Sequence, residues 1–194
     1  MKTIDLDTSK IKVNIEMLTN RKHALNAARN TVGKKFIDKE PTDAWWRSIL
    51  KARHSPIRSV IYRVYIEGVP EWVQTHLVRH HIGIEKYVTT QRVDRTNDTR
   101  PRSELPQGEC KTMLMDINAE AMMNISKKRI CRLASKETRY IWEQVLIALH
   151  DIDPVLWNLC HPDCIWFGFC PEMKSCGYVQ TNDAKIRRYS LLEI

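Results

Sequence analysis

Arginine, histidine, asparagine and hydroxyl side chains crowd two stretches of this 194-residue chain, Thr75 to Arg95 and Arg102 to Arg139. Such groups grip anions: guanidinium binds phosphate or carboxylate through paired hydrogen bonds, and imidazole adds donors. In the first stretch a basic triplet, Arg79-His80-His81, precedes Thr89, Thr90, Gln91 and Arg92. On a strand Thr90 and Arg92 would share a face and offer a hydroxyl and a guanidinium to one phosphate, although cross-strand packing explains the threonines equally. In the second stretch Asn118, Arg129 and Arg132 fall within about 60° of one another around a helix axis. That face suits an anion or a planar ring, or simply solvent, with Lys127, Lys128 and Lys136 alongside. Late in the chain Cys160, Cys164, Cys170 and Cys176, with His161 adjacent, put four soft ligands within reach of one structural zinc ion. The spacing lacks the paired C-x2-C of a zinc ribbon, and the alternative is reduced thiols packed among Trp166, Phe167 and Phe169. Cys110 and Cys131 have no neighbouring histidine and read as small buried residues.

The length supports one sizeable core, and 43% apolar with 28% charged residues is ordinary for a globular protein. No apolar run approaches the roughly 20 residues that cross a bilayer. The N-terminal MKTIDLDTSKIKVNIE lacks the apolar centre of a signal peptide, so a cytoplasmic protein without membrane association is expected. A formal charge of +8 favours anionic partners: nucleotides, phosphorylated cofactors or nucleic acid. A nucleic-acid-binding module is the competing class, but no RRM or paired-cysteine finger is present and the 8% aromatic content shows no stacking pattern.

The elements that must position these residues follow from periodicity. Residues 10–15 alternate as a strand, and 18–31 suit a helix closed by Gly33. A second helix starts near Thr42 or Asp43, either a good N-cap. After the turn His54-Ser55-Pro56, alternation from Val60 to Glu67 predicts a strand ended by Gly68. Pro70 opens a helix that delivers Arg79, His80 and His81 at its C-terminal end, where the dipole favours cations. Residues 87–93 read as a strand, 94–110 as a long functional loop, and 116–150 as helix with a break near Ser135. The tail is turn-like and sulfur-rich.

Taken in order, these pieces resemble the flavin-dependent thymidylate synthases. That family has an Arg-His-Arg triplet and, seven residues on, a Ser-x-Arg-Tyr segment; here Arg79-His80-His81 is followed, one residue later than expected, by Thr90-Gln91-Arg92-Val93. Arg102-Ser-Glu-Leu105-Pro106, then Asn118, Asn124, Arg129 and Ala134-Ser135-Lys136-Glu137, match the family's later residues without a gap, and His54-Ser55-Pro56 resembles its His-x-Thr-Pro turn. The resemblance spans roughly residues 54–140. His81 stands where the family has Arg, and His76 where it has a nucleotide-contacting Gln. Glu85 is out of register, and Arg58-Ser59 replace a Glu-His, which marks a divergent, phage-like member.

The resemblance implies an α+β fold, an antiparallel sheet with flanking helices, over residues 1–158, with 159–194 a Cys-rich C-terminal extension of the same domain. It implies conversion of dUMP to dTMP with FAD, NADPH and methylenetetrahydrofolate, or a sibling pyrimidine modification such as hydroxymethylation. Ser55, Arg79, His80, His81, Asn118 and Asn124 would contact FAD. His76, Thr90, Gln91, Arg92, Arg102 and Arg129 would hold dUMP, with Arg92 and Arg102 on its phosphate and Arg129 at the uracil edge as the catalytic group. A homotetramer with active sites built from several subunits is implied as well.

Overall fold

The computed structural model describes residues 4–92, 94–96 and 99–192. Four strands, β1 (Lys12–Met17), β2 (Ile61–Pro70), β3 (Ile84–Val88) and β4 (Cys110–Asn118), form an antiparallel sheet in the order β1-β2-β4-β3. The alternation of β2 sets which face is buried. Tyr62, Val64 and Ile66 point inward, opposite Ile117, Met115 and Met113 of β4 and Met17, Ile15 and Val13 of β1. Across the strand junctions these rows form one continuous apolar face, the arrangement expected of an antiparallel sheet covered on one side. The other face carries Tyr65, Tyr87 and the forked Arg63–Asp116 pair, both contacts at 2.8 Å.

Helices cover the apolar face. α1 (Arg21–Thr31) and α2 (Asp43–Ala52) precede β2, and the Thr42 hydroxyl caps α2 by accepting from the Trp45 amide. α3 (Glu71–Leu77) follows β2 directly. α4 (Ala119–Arg129) and α5 (Lys136–Ile152) come after β4, then the short α6 (Pro154–Trp157) and α7 (Asp163–Phe167), and finally α8 (Asn182–Leu192). Trp142 of α5 donates to Ser126 of α4 at 2.9 Å, and Ser126 donates to Met122 O at 2.7 Å, so two polar groups lock this buried helix pair while satisfying each other.

Asp153, fully buried between α5 and α6, is the polar hub of the core. Its carboxylate accepts from Tyr62 OH (2.5 Å), Trp46 Nε1 (3.0 Å), Arg21 Nη2 (2.7 Å) and the Leu156 amide (3.0 Å). The last bond caps α6. One side chain thereby ties α1, α2, β2 and α6 together.

The α+β architecture and its antiparallel sheet match the expectation; several boundaries do not. The chain from 110 to 118 is strand, whereas loop and helix were expected to meet there, because Met113, Met115 and Ile117 alternate inward. The strand expected at 87–93 lies instead at 84–88, which leaves Thr89 to Arg92 beyond its end, so Thr90 and Arg92 do not share a strand face; Val93 lies outside the described residues. β2 runs past Gly68 to Pro70 through a bulge between Ile66 and Val69. The helical stretch breaks over 130–135, where Ser135 caps α5. Asn118 is therefore the N-cap of α4 and Arg132 lies past its end, with its guanidinium 4.0 Å over the Tyr178 ring. The helical face expected to join Asn118, Arg129 and Arg132 does not exist.

Candidate functional site

The turn that leaves α3 carries the basic triplet and is held from two directions. Lys86, in register with Met115 on the apolar face of the sheet, donates to Val78 O at 3.1 Å and to His80 O. An inward lysine in a short strand is costly unless its donors are satisfied, and here they close the end of a helix, where positive charge is favoured. From the other side Arg129, the last residue of α4, donates through Nε to His80 Nε2 at 2.8 Å and through Nη2 to His76 O at 2.5 Å. Because His80 Nε2 accepts, the ring is neutral with its proton on Nδ1. Burial, reinforced by Arg129, Lys86 and His81, brings its pKa down to about 4. His76 is also pushed down, by burial and then by Arg129 and Arg79, and its Nδ1 meets Thr138 Oγ1 at 2.7 Å. Arg129, His76 and His80 thus form one half-buried cluster, and the exposed Arg79 acts on His76 and Arg129 through its charge.

On another side of α3 lies a cleft of about 280 Å³ lined by Glu71, Gln74, Thr75, Thr90, Gln91, Arg102 and Lys111, among others. Thr90, Gln91 and Arg102 therefore do come together. Gln91 donates to Glu71 Oε2, and Lys111 lies 3.4 Å from Glu109. Arg92 is not among the lining residues; its guanidinium is paired with Asp94 through bonds of 3.0 and 2.6 Å. At about 100° per residue, Gln74 and Val78 lie roughly opposite His76 around α3, and His80 follows past the end of the helix. Hence the cleft and the Arg129 cluster flank one helical turn instead of lining one cavity of a single chain.

The residues expected to contact a flavin fall into two groups. Arg79, His80 and His81 sit on the turn after α3. Ser55 opens the 3-10 turn Ser55–Ser59 and lines a second cleft, of about 490 Å³, with Trp45, Ser48, His54 and Pro56. Nearby, Asn124 accepts from Arg53 Nη1 at 2.7 Å, while Arg53 Nη2 is buried and makes no hydrogen bond among the described residues. Asn118 caps α4 by accepting from the Ala121 amide at 2.8 Å. Its backbone N–H donates to Gly83 O at 2.9 Å, and a Cβ on Gly83 (φ +73°) would come within 2.5 Å of its side chain. Only glycine fits this approach.

Four residues that shape the site were not singled out from sequence: Lys86, Glu71, Lys111 and Thr138. Lys86 was the findable one, since it sits between Ile84 and Val88 on the inward phase of a strand. For metal ligation, no group of three or more His, Cys, Asp or Glu among the described residues is already disposed to hold an ion. Cys160 is apart from the other tail cysteines, fully buried next to Ser126, and burial pushes its thiol up to about 12.

No family model matches the chain. It is similar to a curated flavin-dependent thymidylate synthase of Nitratidesulfovibrio vulgaris, 24% identical over 191 residues that cover 73% of this chain and 78% of the relative. Among solved structures it shares its fold with the UMP/dUMP methylase PolB from Streptomyces cacaoi. The form bound with 5-Br dUMP superposes with a TM-score of 0.59 at 16% identity, covering 76% of this chain and 94% of that one. The form bound with 5-Br UMP gives 0.58 at 15% identity, covering 76% and 93%. In described residues no helix is long and apolar enough to cross a membrane. By sequence the chain is similar to a flavin-dependent thymidylate synthase, and it shares its fold with PolB.

Proposed function

We propose that the chain methylates dUMP at the pyrimidine ring, in the balanced reaction dUMP + methylenetetrahydrofolate + NADPH + H⁺ → dTMP + tetrahydrofolate + NADP⁺, with FAD as the bound redox group. The observation that carries this reading is the pairing of a fixed guanidinium, Arg129 on His80 and His76, with a nearby cleft that gathers Thr90, Gln91 and Arg102. The similarity to a flavin-dependent thymidylate synthase supports it.

In this reading Arg102 holds the nucleotide phosphate, and Thr90 and Gln91 orient it. Arg92 joins only by leaving Asp94. Arg129 faces the uracil edge and stabilises the negative charge that develops there, acting in a half-buried setting where such contacts are strong. His80, being neutral, fixes Arg129 without competing for the anion, and His76 contributes its carbonyl and its ring near the nucleotide. The residues assigned to FAD (Ser55, Arg79, His80, His81, Asn118 and Asn124) supply hydroxyl, cationic and amide groups suited to a pyrophosphate and a ring edge. The Nη2 of Arg53 beside Asn124, without a partner among the described residues, is one more donor of that type. FAD, when bound, supplies the reducing equivalents that convert the transferred one-carbon unit to methyl. The separation of these residues into groups around α3 suits active sites completed by neighbouring copies, so a homotetramer belongs to the proposal. So does a division into a catalytic part, residues 1–158, and an extension of the same domain, 159–194.

The test incubates purified protein with FAD, NADPH, methylenetetrahydrofolate and either dUMP or UMP, and reads the product by mass spectrometry. A yellow protein that adds a methyl group to dUMP is expected. Colourless protein that takes up no added FAD would sink the reading, and a hydroxymethyl product would replace methylation with the sibling chemistry. UMP is included because the fold neighbour PolB is a UMP/dUMP methylase.

A further inference from the structure

Between α7 and the turn at Tyr178 little that is apolar holds the chain: of residues 168–177 only Cys170 packs, partly buried, against the core. None of the twelve residues from 166 to 177 is buried, and Phe169 and Met173 are strongly exposed. Helix is absent from 168 to 177 as well. Such a segment normally needs a crosslink or a metal to fix its course. The bracketing residues Ile165 and Tyr178 are buried, so the segment leaves the core and returns to it.

What lies beneath it is sulfur. Cys164, Cys170 and Cys176 from the tail, joined by Cys131 from the turn after α4, line one small space of about 10 Å³ together with Lys127, Arg132, Asp163 and Glu172. All four thiols are free. We propose that Cys131, Cys164, Cys170 and Cys176 form a tetrathiolate site for one structural zinc ion that fastens the tail to the C-terminal end of α4. The set differs from the four tail cysteines that spacing alone suggests: Cys160 leaves and Cys131, more than thirty residues upstream in sequence, enters.

Three features favour a single zinc ion. Four sulfurs are the complete ligand set of a closed, tetrahedral structural site. The space they share is small, about the size of one water or ion. As they stand the sulfurs do not converge on an ion; each cysteine turns about a single χ1 bond, and the site requires rotamer changes that bring them together. Four thiolates around a divalent ion leave two negative charges; Lys127 and Arg132 line the same space, beside Asp163 and Glu172, whose carboxylates are paired with Lys128. The tail is also tied to α4 by Lys128 contacts to Asp163 (3.0 Å) and Glu172 (3.2 Å), which set its approach.

The test uses the full chain, expressed with zinc in the medium and purified without chelator. Elemental analysis and native mass spectrometry should find one zinc ion per chain. Exchange with cobalt should give the near-ultraviolet thiolate-to-metal band and the strong visible bands of a tetrahedral thiolate site. Cys131→Ser should lose the metal and these bands, whereas Cys160→Ser and Cys110→Ser should keep both. Should Cys131→Ser be insoluble, titration of the wild-type protein with a mercurial decides: zinc should reach a colorimetric chelator as four thiols are consumed. Metal-free protein that takes up neither ion after reduction would overturn the proposal. So would iron in place of zinc, a native mass showing two disulfides, zinc retained by Cys131→Ser, or zinc lost from Cys160→Ser.

Discussion

Arg129→Ala is expected to lower dTMP formation by at least about a hundredfold, the scale seen when one preorganised donor to a developing charge is removed. The protein should still take up FAD, because of the six residues assigned to the flavin only His80 bonds this guanidinium among the described residues. Near-normal turnover would refute the role given to Arg129. The substitution also has a signature independent of turnover. His80 is held near a pKa of about 4 by burial and then by the Arg129 charge. Removing that charge should raise the His80 midpoint in an NMR titration, though not to the free value, since burial, Lys86 and His81 remain. An unmoved midpoint would mean that the pair is not formed in solution. Arg129→Lys keeps a charge but has no second arm to reach His76 O and His80 together, so it should recover little activity.

The second large effect concerns stability. Asp153→Ala should cost about 3–5 kcal/mol in urea unfolding, the range for breaking a buried charge pair by removing one partner. The loss comes less from the missing carboxylate than from what it leaves behind. Arg21 keeps only Asp43, Tyr62 OH and Trp46 Nε1 are stranded in the core, and α6 loses its cap. Against a typical total of about 5–15 kcal/mol, that is enough to threaten folding. Asp153→Asn should be milder, since the amide oxygen can still accept from Tyr62 or Leu156. Equal unfolding midpoints for Asp153→Ala and wild type would show that the hub does not hold the four elements together.

The parts of the fold that could be seen in advance were those whose local chemistry agreed with their packing. Thr42 before Asp43 marked the start of α2, and the strict alternation from Val60 to Glu67 marked β2, because cap and pleat are both read from adjacent residues. β4 was hidden, since Met113, Leu114 and Met115 are good helix formers and only their pairing with Ile66, Tyr65 and Val64 makes them a strand. β3 was placed a few residues late for the opposite reason: the β-forming Tyr87-Val88-Thr89-Thr90 drew the assignment past Glu85 and Lys86, whose charges look wrong for a strand until Lys86 is seen capping the α3 turn. Arg129 was legible as a candidate because its neighbours in sequence carry the family resemblance. Its partners His80 and His76 are a matter of how α3 and α4 meet, which no local pattern encodes. Cys131 read as a small buried residue because it has no neighbouring histidine and sat inside what looked like one long helix, whereas it is half-buried in the turn after α4 and Cys110 is exposed.

The eleven residues of α4 separate Asn118 at its cap from Arg129 at its last turn by about 16 Å, at about 1.5 Å per residue. Both ends are pinned, one by Gly83 and the other by His80 and His76, so the helix is a gauge block with fixed length and fixed phase. Substitutions along its exposed side leave that gauge intact. A single inserted or deleted residue would not: it would swing Arg129 by about 100° relative to the sheet and part it from both partners. The length of this helix is therefore the more exacting requirement, and natural variation in it should be far rarer than variation in its exposed side chains.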